Sequence, residues 1–233
     1  MLMHLIDTMQ AMVPRKHFPL RLCFAALWMA LAVTTLAGQS SRQPTNVKDA
    51  SALHPPAGAS VAIVEFSDLE CPACARANPY LMQAVAQYKI PWVRRDLIIP
   101  NHPWSPTAAV NARWFDSKGN GLGDAYRNAV FANQSSIYNV NVLATFTQNF
   151  AQSHGVAMPF AVDPQGKLAA EVKADSELGK RTGVTLTPTI FIVTAHSKGA
   201  PYIEVLNPET DLFRIIDQAL ADTRQPATAA HHK

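Results

Sequence analysis

The chain has 233 residues, three cysteines and a formal net charge of +3, which bounds it to one substantial core, or one core carrying a large insertion. Apolar residues supply 48% of it and charged residues 16%, the balance of an ordinary globular protein. Without Arg15, Lys16 and Arg21 the chain is close to neutral, so it offers nucleic acid no basic surface.

Residues 1–38 differ from everything after them. Arg15-Lys16-His17 and Arg21 lead into Leu22 to Leu36, an apolar run without a charge, followed by the small residues Ala37 and Gly38 and then by polar Gln39-Ser40-Ser41. Basic, apolar and small-residue regions in that order form a secretory signal peptide. The run is short for a membrane-spanning helix, which needs about 20 apolar residues. Cleavage near Ala37 or Gly38 is therefore expected, with retention as an N-terminal anchor as the alternative; Met1 and Met12 are both candidate starts. The protein is expected in the periplasm or on the extracytoplasmic face of the inner membrane. Cys23 lies inside the export segment, so the exported domain holds only Cys71 and Cys74. In an oxidising compartment, a close pair with no other partner is one whose oxidation state is its function.

Residues 39–59, rich in Ser, Pro, Ala and Gly, read as a flexible linker, and 60–222 as the folded domain. Val61 to Phe66 is a β-branched apolar run of the kind that makes a buried strand. Ser67-Asp68-Leu69-Glu70 has the composition of a turn and helix cap. From Pro72 the spacing of Ala77, Leu81, Ala84, Val85 and Tyr88 predicts a helix. Lys89 to Ile99 predicts a second strand. Apolar residues then recur at helical steps over Pro106–Ser117, Gly123–Asn133 and Asn141–His154, with a further helix over Lys167–Thr182 closed by Gly183. This predicts an all-helical insertion over about 104–182, filled by Trp114, Phe115, Phe131, Phe146 and Phe150. Thr189–Val193 and Pro201–Leu206 predict an antiparallel hairpin joined by His196-Ser197-Lys198-Gly199. Asp211–Ala221 predicts a terminal helix, and 223–233 a disordered tail.

The chemistry concentrates at Cys71-Pro72-Ala73-Cys74. At a strand-to-helix junction the first sulfur sits among unpaired N–H groups, which stabilise a thiolate, and the second lies one turn on along the same face. Cys71 is thus the expected exposed nucleophile and Cys74 the buried resolving thiol. A zinc half-site is the competing reading, but it needs two further ligands from His102, His154 or His196, which stand singly. Disulfide exchange by the pair calls for neither metal nor cofactor. Six residues before Cys71, Glu65 interrupts an apolar strand; it either faces solvent or is a buried acid positioned to take a proton from Cys74. Pro79 is placed to kink the helix, and Thr187-Pro188 opens the later strand.

These features in this order resemble the thioredoxin superfamily, and the long helical insertion between the second and third strands resembles its DsbA-like branch. Val64 to Cys74 and Thr187-Pro188-Thr189-Ile190-Phe191 carry the resemblance, which extends over Ser60 to Ala221. It implies an α/β thioredoxin fold, a central mixed β-sheet flanked by helices. It also implies Cys71 as attacking and Cys74 as resolving cysteine, Glu65 as the buried acid, and Pro188 as a cis-proline that binds substrate together with Thr187. By the same resemblance the protein exchanges disulfides with exported protein substrates and is recycled by a membrane redox partner. Two departures blur the subfamily. Pro72-Ala73 stands where strongly oxidising members carry Pro-His, and Thr187 before the proline is similar to isomerase and reductase members. Those members have an N-terminal dimerisation domain, for which Gln39 to Ser60 is too short, so a monomer is expected. A disulfide or sulfenic acid reductase or isomerase remains one alternative, and a binding module or chaperone without turnover another.

Overall fold

The computed structural model describes residues 42–196 and 200–224. The expected export segment, the start of the linker, most of the tail and most of the 196–199 turn lie outside those residues. Four strands form one sheet in the order β2-β1-β3-β4: β1 (Val61–Ser67), β2 (Trp92–Asp96), β3 (Thr189–Thr194) and β4 (Tyr202–Glu204). β1 runs parallel to β2 and antiparallel to β3, and β3 is antiparallel to β4. The sheet is mixed, as expected.

Residues Val61 to Phe66 of β1 are all buried, because helices cover both faces and the strand alternates between two cores. Val61 and Ile63 join Ile190 and Ile192 against α1 (Pro72–Tyr88) and α6 (Pro208–Arg224), where Leu81, Leu212 and Ile216 complete the layer. Ala62, Val64 and Phe66 face the other way, with Phe191, Val193 and Leu97. By this alternation Glu65 falls on the α1 face. Between β2 and β3 come α2 (Ser105–Asp116), α3 (Leu122–Ala132), α4 (Val140–Ser153) and α5 (Lys167–Thr182). The third core lies here: Trp114, Phe115, Phe131 and Phe150 are buried, Phe146 packs against them, and Tyr126 joins them with its hydroxyl 2.7 Å from Thr147 Oγ1. None of the described helices is long and apolar enough to cross a membrane.

The predicted helices match the observed ones to within a residue through α5, which ends on Gly183 at φ +96°. β2 is shorter than expected at both ends. Lys89 is the left-handed cap of α1, and beyond Leu97, whose N–H still reaches Ser67 O at 2.9 Å, the backbone donors are spent elsewhere: Ile98 N–H on Ser176 Oγ at 3.1 Å and Ile99 N–H on Asp68 Oδ2 at 2.8 Å. α6 starts earlier than its apolar spacing suggests because Asn207-Pro208 begins it, Asn207 Oδ1 accepting from Glu209 N–H at 3.2 Å. It also takes in the first two residues of the expected tail. Residues 42–59 carry no helix or strand, yet they are laid against the domain: Ala52 and Leu53 belong to the second core, and Lys48 N–H bonds Thr182 O at 2.9 Å.

A charged knot ties the insertion to the sheet edge. Arg113 of α2 donates to Asp96 Oδ2 of β2 at 2.7 and 2.8 Å and to Asp175 Oδ2 of α5, while Arg95 reaches Asp175 Oδ1 at 3.0 Å. Both carboxylates are buried. Arg113→Ala is expected to destabilise the fold by roughly 3–5 kcal/mol at pH 7, since it leaves the buried Asp96 carboxylate without the guanidinium that bonds it, while Asp175 keeps Arg95. The folded pKa of Asp96, already raised by burial and held down by Arg127 and Arg113, rises further in the variant. The deficit therefore shrinks as pH falls and Asp96 protonates in both states. Urea unfolding at pH 7 and pH 4 measures it, and an equal loss at both values contradicts the electrostatic account.

Candidate active site

The Ser67–Glu70 turn between β1 and α1 is built from side chains bonded to backbone. Asp68, fully buried, accepts Glu70 N–H on Oδ1 and Ile99 N–H on Oδ2, each at 2.8 Å, and its Oδ1 lies 3.1 Å from His102 Nδ1. Glu70 Oε2 accepts Trp104 N–H and Ser105 N–H at 2.8 and 2.9 Å, which satisfies free donors at the start of α2. From the insertion, Gln134 Nε2 donates to the carbonyls of Leu69 and Cys71 at 2.8 and 3.1 Å. The turn is thus fixed from both sides before the helix begins.

Cys71 is the N-cap of α1, with extended backbone and Pro72 in the first turn. No side chain caps this helix by a hydrogen bond; the N–H groups of Ala73 and Cys74 at its start face the Cys71 sulfur as electrostatic partners. They help to depress its pKa from an ordinary value of 9 to about 5. The largest cause is the hydrogen bond from the Cys74 thiol; burial opposes it, and Thr187 adds to the lowering. Cys74 moves the opposite way. Fully buried, it is pushed well above an ordinary thiol by burial, by its bond to Cys71 and by the negative charge of Cys71 and Glu65. Cys71 is more covered than expected of an exposed nucleophile, at 8% accessible. What covers it is the Thr187–Pro188 loop, whose peptide bond is cis and whose Thr187 carbonyl lies 3.5 Å from Cys71 Sγ.

Beneath the pair, Glu65 is 1% accessible, so it does not face solvent. Its Oε2 accepts Trp92 Nε1–H at 3.0 Å, and Oε1 has no hydrogen-bond partner among the described residues. Burial raises its pKa from 4.5 to about 7, against the lowering by Arg94 and by the Trp92 bond. Arg94 is the residue opposite Glu65 in the β1/β2 register. Its guanidinium stacks 3.5 Å over the Trp92 ring and donates to Asn128 Oδ1 at 2.7 Å and Asn78 Oδ1 at 3.2 Å. Sequence reasoning singled out neither Arg94, Trp92 nor Gln134. The alternation of β2 against β1 contains the first two, whereas Gln134 lies in a connection whose placement only the folded insertion supplies.

Beside the cysteines opens a cavity of about 400 Å³, lined by Arg42, Ala73, Arg76, Tyr80, Pro188 and Leu206. Leu186, 58% accessible, stands next to Thr187. Of the histidines considered as zinc ligands, His102 lies beside Asp68, His154 stacks on Phe150 with centroids 4.1 Å apart, and His196 is exposed.

A family model described as thioredoxin matches residues 56–206. No curated protein matches the sequence. Among solved structures, the chain is similar to Wolbachia pipientis alpha-DsbA1, at TM-score 0.59 and 17% identity over 78% of this chain and 94% of that one. It is similar to Pseudomonas aeruginosa DsbA2, at TM-score 0.53 and 20% identity over 79% of this chain and 100% of that one. Oxidised BdbD from Bacillus subtilis aligns at TM-score 0.56 and 17% identity, over 78% and 98% of the two chains. The chain therefore belongs to the thioredoxin family, with a helical insertion between β2 and β3 and the fold of its DsbA-type members.

Proposed function

We propose that this protein is a thiol-disulfide oxidoreductase that exchanges disulfides with exported protein substrates, with Cys71 as the sulfur that forms the mixed disulfide and Cys74 as the one that resolves it. The observation that carries this reading is the opposed displacement of the two thiols: one turn of one helix holds a thiol with a pKa of about 5 and another raised well above 9. A structural pair has no use for that asymmetry, whereas exchange requires one sulfur that leaves readily and one that keeps its proton until needed.

In the oxidising direction a substrate thiolate attacks Cys71 Sγ of the Cys71–Cys74 disulfide. The S–S bond breaks and Cys74 departs as a thiolate that takes up a proton. A second substrate thiolate then attacks the substrate sulfur of the mixed disulfide and expels Cys71 as the stabilised thiolate. The substrate loses two electrons and the pair gains them, so an electron acceptor must reoxidise it; a membrane quinone-linked oxidase is the class of partner that the family resemblance suggests. Glu65 is the acid placed to supply and retrieve the Cys74 proton, since near pH 7 it exists in both forms. Stabilising the Cys71 thiolate stabilises the reduced pair, and this favours the oxidase over the reductase. Export to the periplasm fits the segment Arg15 to Gly38 and the oxidising compartment such a reaction needs.

Alkylation of the reduced protein by iodoacetamide should follow one titration with a midpoint near pH 5, against roughly 8.5 for a free cysteine. Equilibration with glutathione should place the pair well above the roughly −270 mV of thioredoxin. A value at or below that potential favours the reductase, and an unshifted thiol favours the binding module. Cys74→Ala should trap mixed disulfides from periplasmic extracts.

Glu65→Gln is expected to slow resolution of a mixed disulfide by Cys74 at pH 7 by roughly ten- to a hundredfold, and to abolish the rise of that rate with pH through about 7. In stability the sign is opposite. The folded pKa of Glu65 is raised, so the stability it contributes is full below about pH 4.5 and is lost as pH climbs through 7, on the order of 3 kcal/mol in all. Thermal unfolding of the disulfide form, in which neither cysteine titrates, should show this decline in the parent protein and not in Glu65→Gln.

A further inference from the structure

Arg42 lies outside the residues that the family model matches, yet it reaches the loop facing Cys71. Its guanidinium donates to the Pro188 carbonyl, to Thr189 Oγ1 at 2.6 Å and to Glu204 Oε1 at 3.3 Å. Thr189 Oγ1 passes the connection on, donating to the Leu186 carbonyl at 2.8 Å. Glu204 is held in turn by Thr45, which donates from its N–H at 2.5 Å and from Oγ1 at 3.0 Å. One planar group therefore bonds both ends of Leu186–Thr189, directly at Pro188 and Thr189 and through the Thr189 hydroxyl at Leu186. Between those ends sits Thr187, whose carbonyl lies 3.5 Å from Cys71 Sγ. Arg42 also lines the cavity beside the cysteines.

We propose that Arg42 is a positioning residue for substrate binding: it fixes the Leu186–Thr189 loop so that the main chain of Thr187 meets an extended segment of a protein substrate at a set distance from Cys71. The proposal rests on the disulfide-exchange reading above. An extended peptide gains affinity by main-chain bonds to an exposed backbone edge, and an edge held in place beforehand loses less entropy on binding. The fork geometry is particular to arginine, since a lysine ammonium is a point charge on a flexible stem. Glu204 offsets the guanidinium charge at this half-buried place, so Arg42 acts on the loop by geometry rather than by adding positive potential at Cys71.

Two reductants separate this role from a general effect on the cysteines. A short peptide dithiol has a backbone to pair with the loop; dithiothreitol has none. With oxidised protein at pH 7, Arg42→Ala is expected to raise KM for the peptide about tenfold. Its kcat, the rate with dithiothreitol and the alkylation midpoint of Cys71 should stay within about twofold of the parent. Arg42→Lys should recover only a minor part of the loss, because one ammonium cannot bond Glu204 and the loop together. Thr189→Val, which leaves the N-terminal segment untouched but removes the bridging hydroxyl, should raise peptide KM in the same direction. Unchanged peptide KM in both Arg42→Ala and Thr189→Val overturns the proposal, and so does an equal loss with peptide and dithiothreitol. A parent protein inert toward both reductants overturns the exchange reading itself, and this is seen before any variant is measured.

Discussion

A carboxyl group on the α1 face of β1, at a position where its neighbours are Ile63 and Ile190, has to be neutral, hydrogen-bonded or paired, and the surroundings of Glu65 use all three. Burial keeps it protonated up to about pH 7, Trp92 donates to one oxygen, and Arg94 stands opposite in the register. Those demands propagate outward. Arg94 is itself buried and needs acceptors, which come from Asn78 on α1 and Asn128 on α3. A single buried acid thus recruits the adjacent strand, the active-site helix and the insertion into one network. The proton that burial keeps on this acid is the one the proposed exchange draws on.

The turn before Cys71 does the corresponding work in backbone terms. Asp68 and Glu70 are short-range features of the sequence, but their bonds run to Ile99, Trp104 and Ser105, the exit of β2 and the entry of α2. Gln134 closes the ring from the far end of α3 by taking the carbonyls of Leu69 and Cys71. The insertion is therefore no appendage to the redox site. It supplies Gln134 and the Trp104 and Ser105 N–H groups to the cysteine-bearing turn, while the loop that Arg42 bonds lies on the other side of Cys71.

Most of the architecture is legible in the sequence because it is written in periodicity. β1 and β3 are short runs rich in β-branched and apolar residues, broken in β1 only by Glu65, each insertion helix carries its apolar residues at three- and four-residue steps, and Gly183 marks a helix end by the conformation only glycine adopts freely. The features that escape such reading have physical causes. β2 ends sooner than its composition suggests because Ile98 and Ile99 look like strand residues, whereas their N–H groups are claimed by Ser176 and Asp68, partners distant in sequence. Residues 42–59 have the composition of a linker, and nothing local shows that Leu53 finds a place in the core or that Arg42 finds acceptors 146 residues away. Composition reports what a segment can do alone; contact with the rest of the chain decides where it lies.

The absence of a histidine between the cysteines looks, in the sequence, like a reason to doubt a strongly stabilised thiolate. The site shows that stabilisation need not come from that position. The Cys74 thiol gives the largest lowering, and Thr187 with the Ala73 and Cys74 N–H groups supplies the rest. These donors come from the backbone of a helix start and from the second cysteine, so Pro72-Ala73 leaves them in place. The Cys74 contribution exists only while Cys74 is a thiol. In the proposed exchange it is therefore available when Cys71 leaves a mixed disulfide and withdrawn once the pair closes, which places the stabilisation on the reduced side of the equilibrium. The negative charge of Glu65 raises the Cys74 thiol in the same sense and discourages a second thiolate, and in the proposed exchange the same carboxylate takes the Cys74 proton as that sulfur attacks.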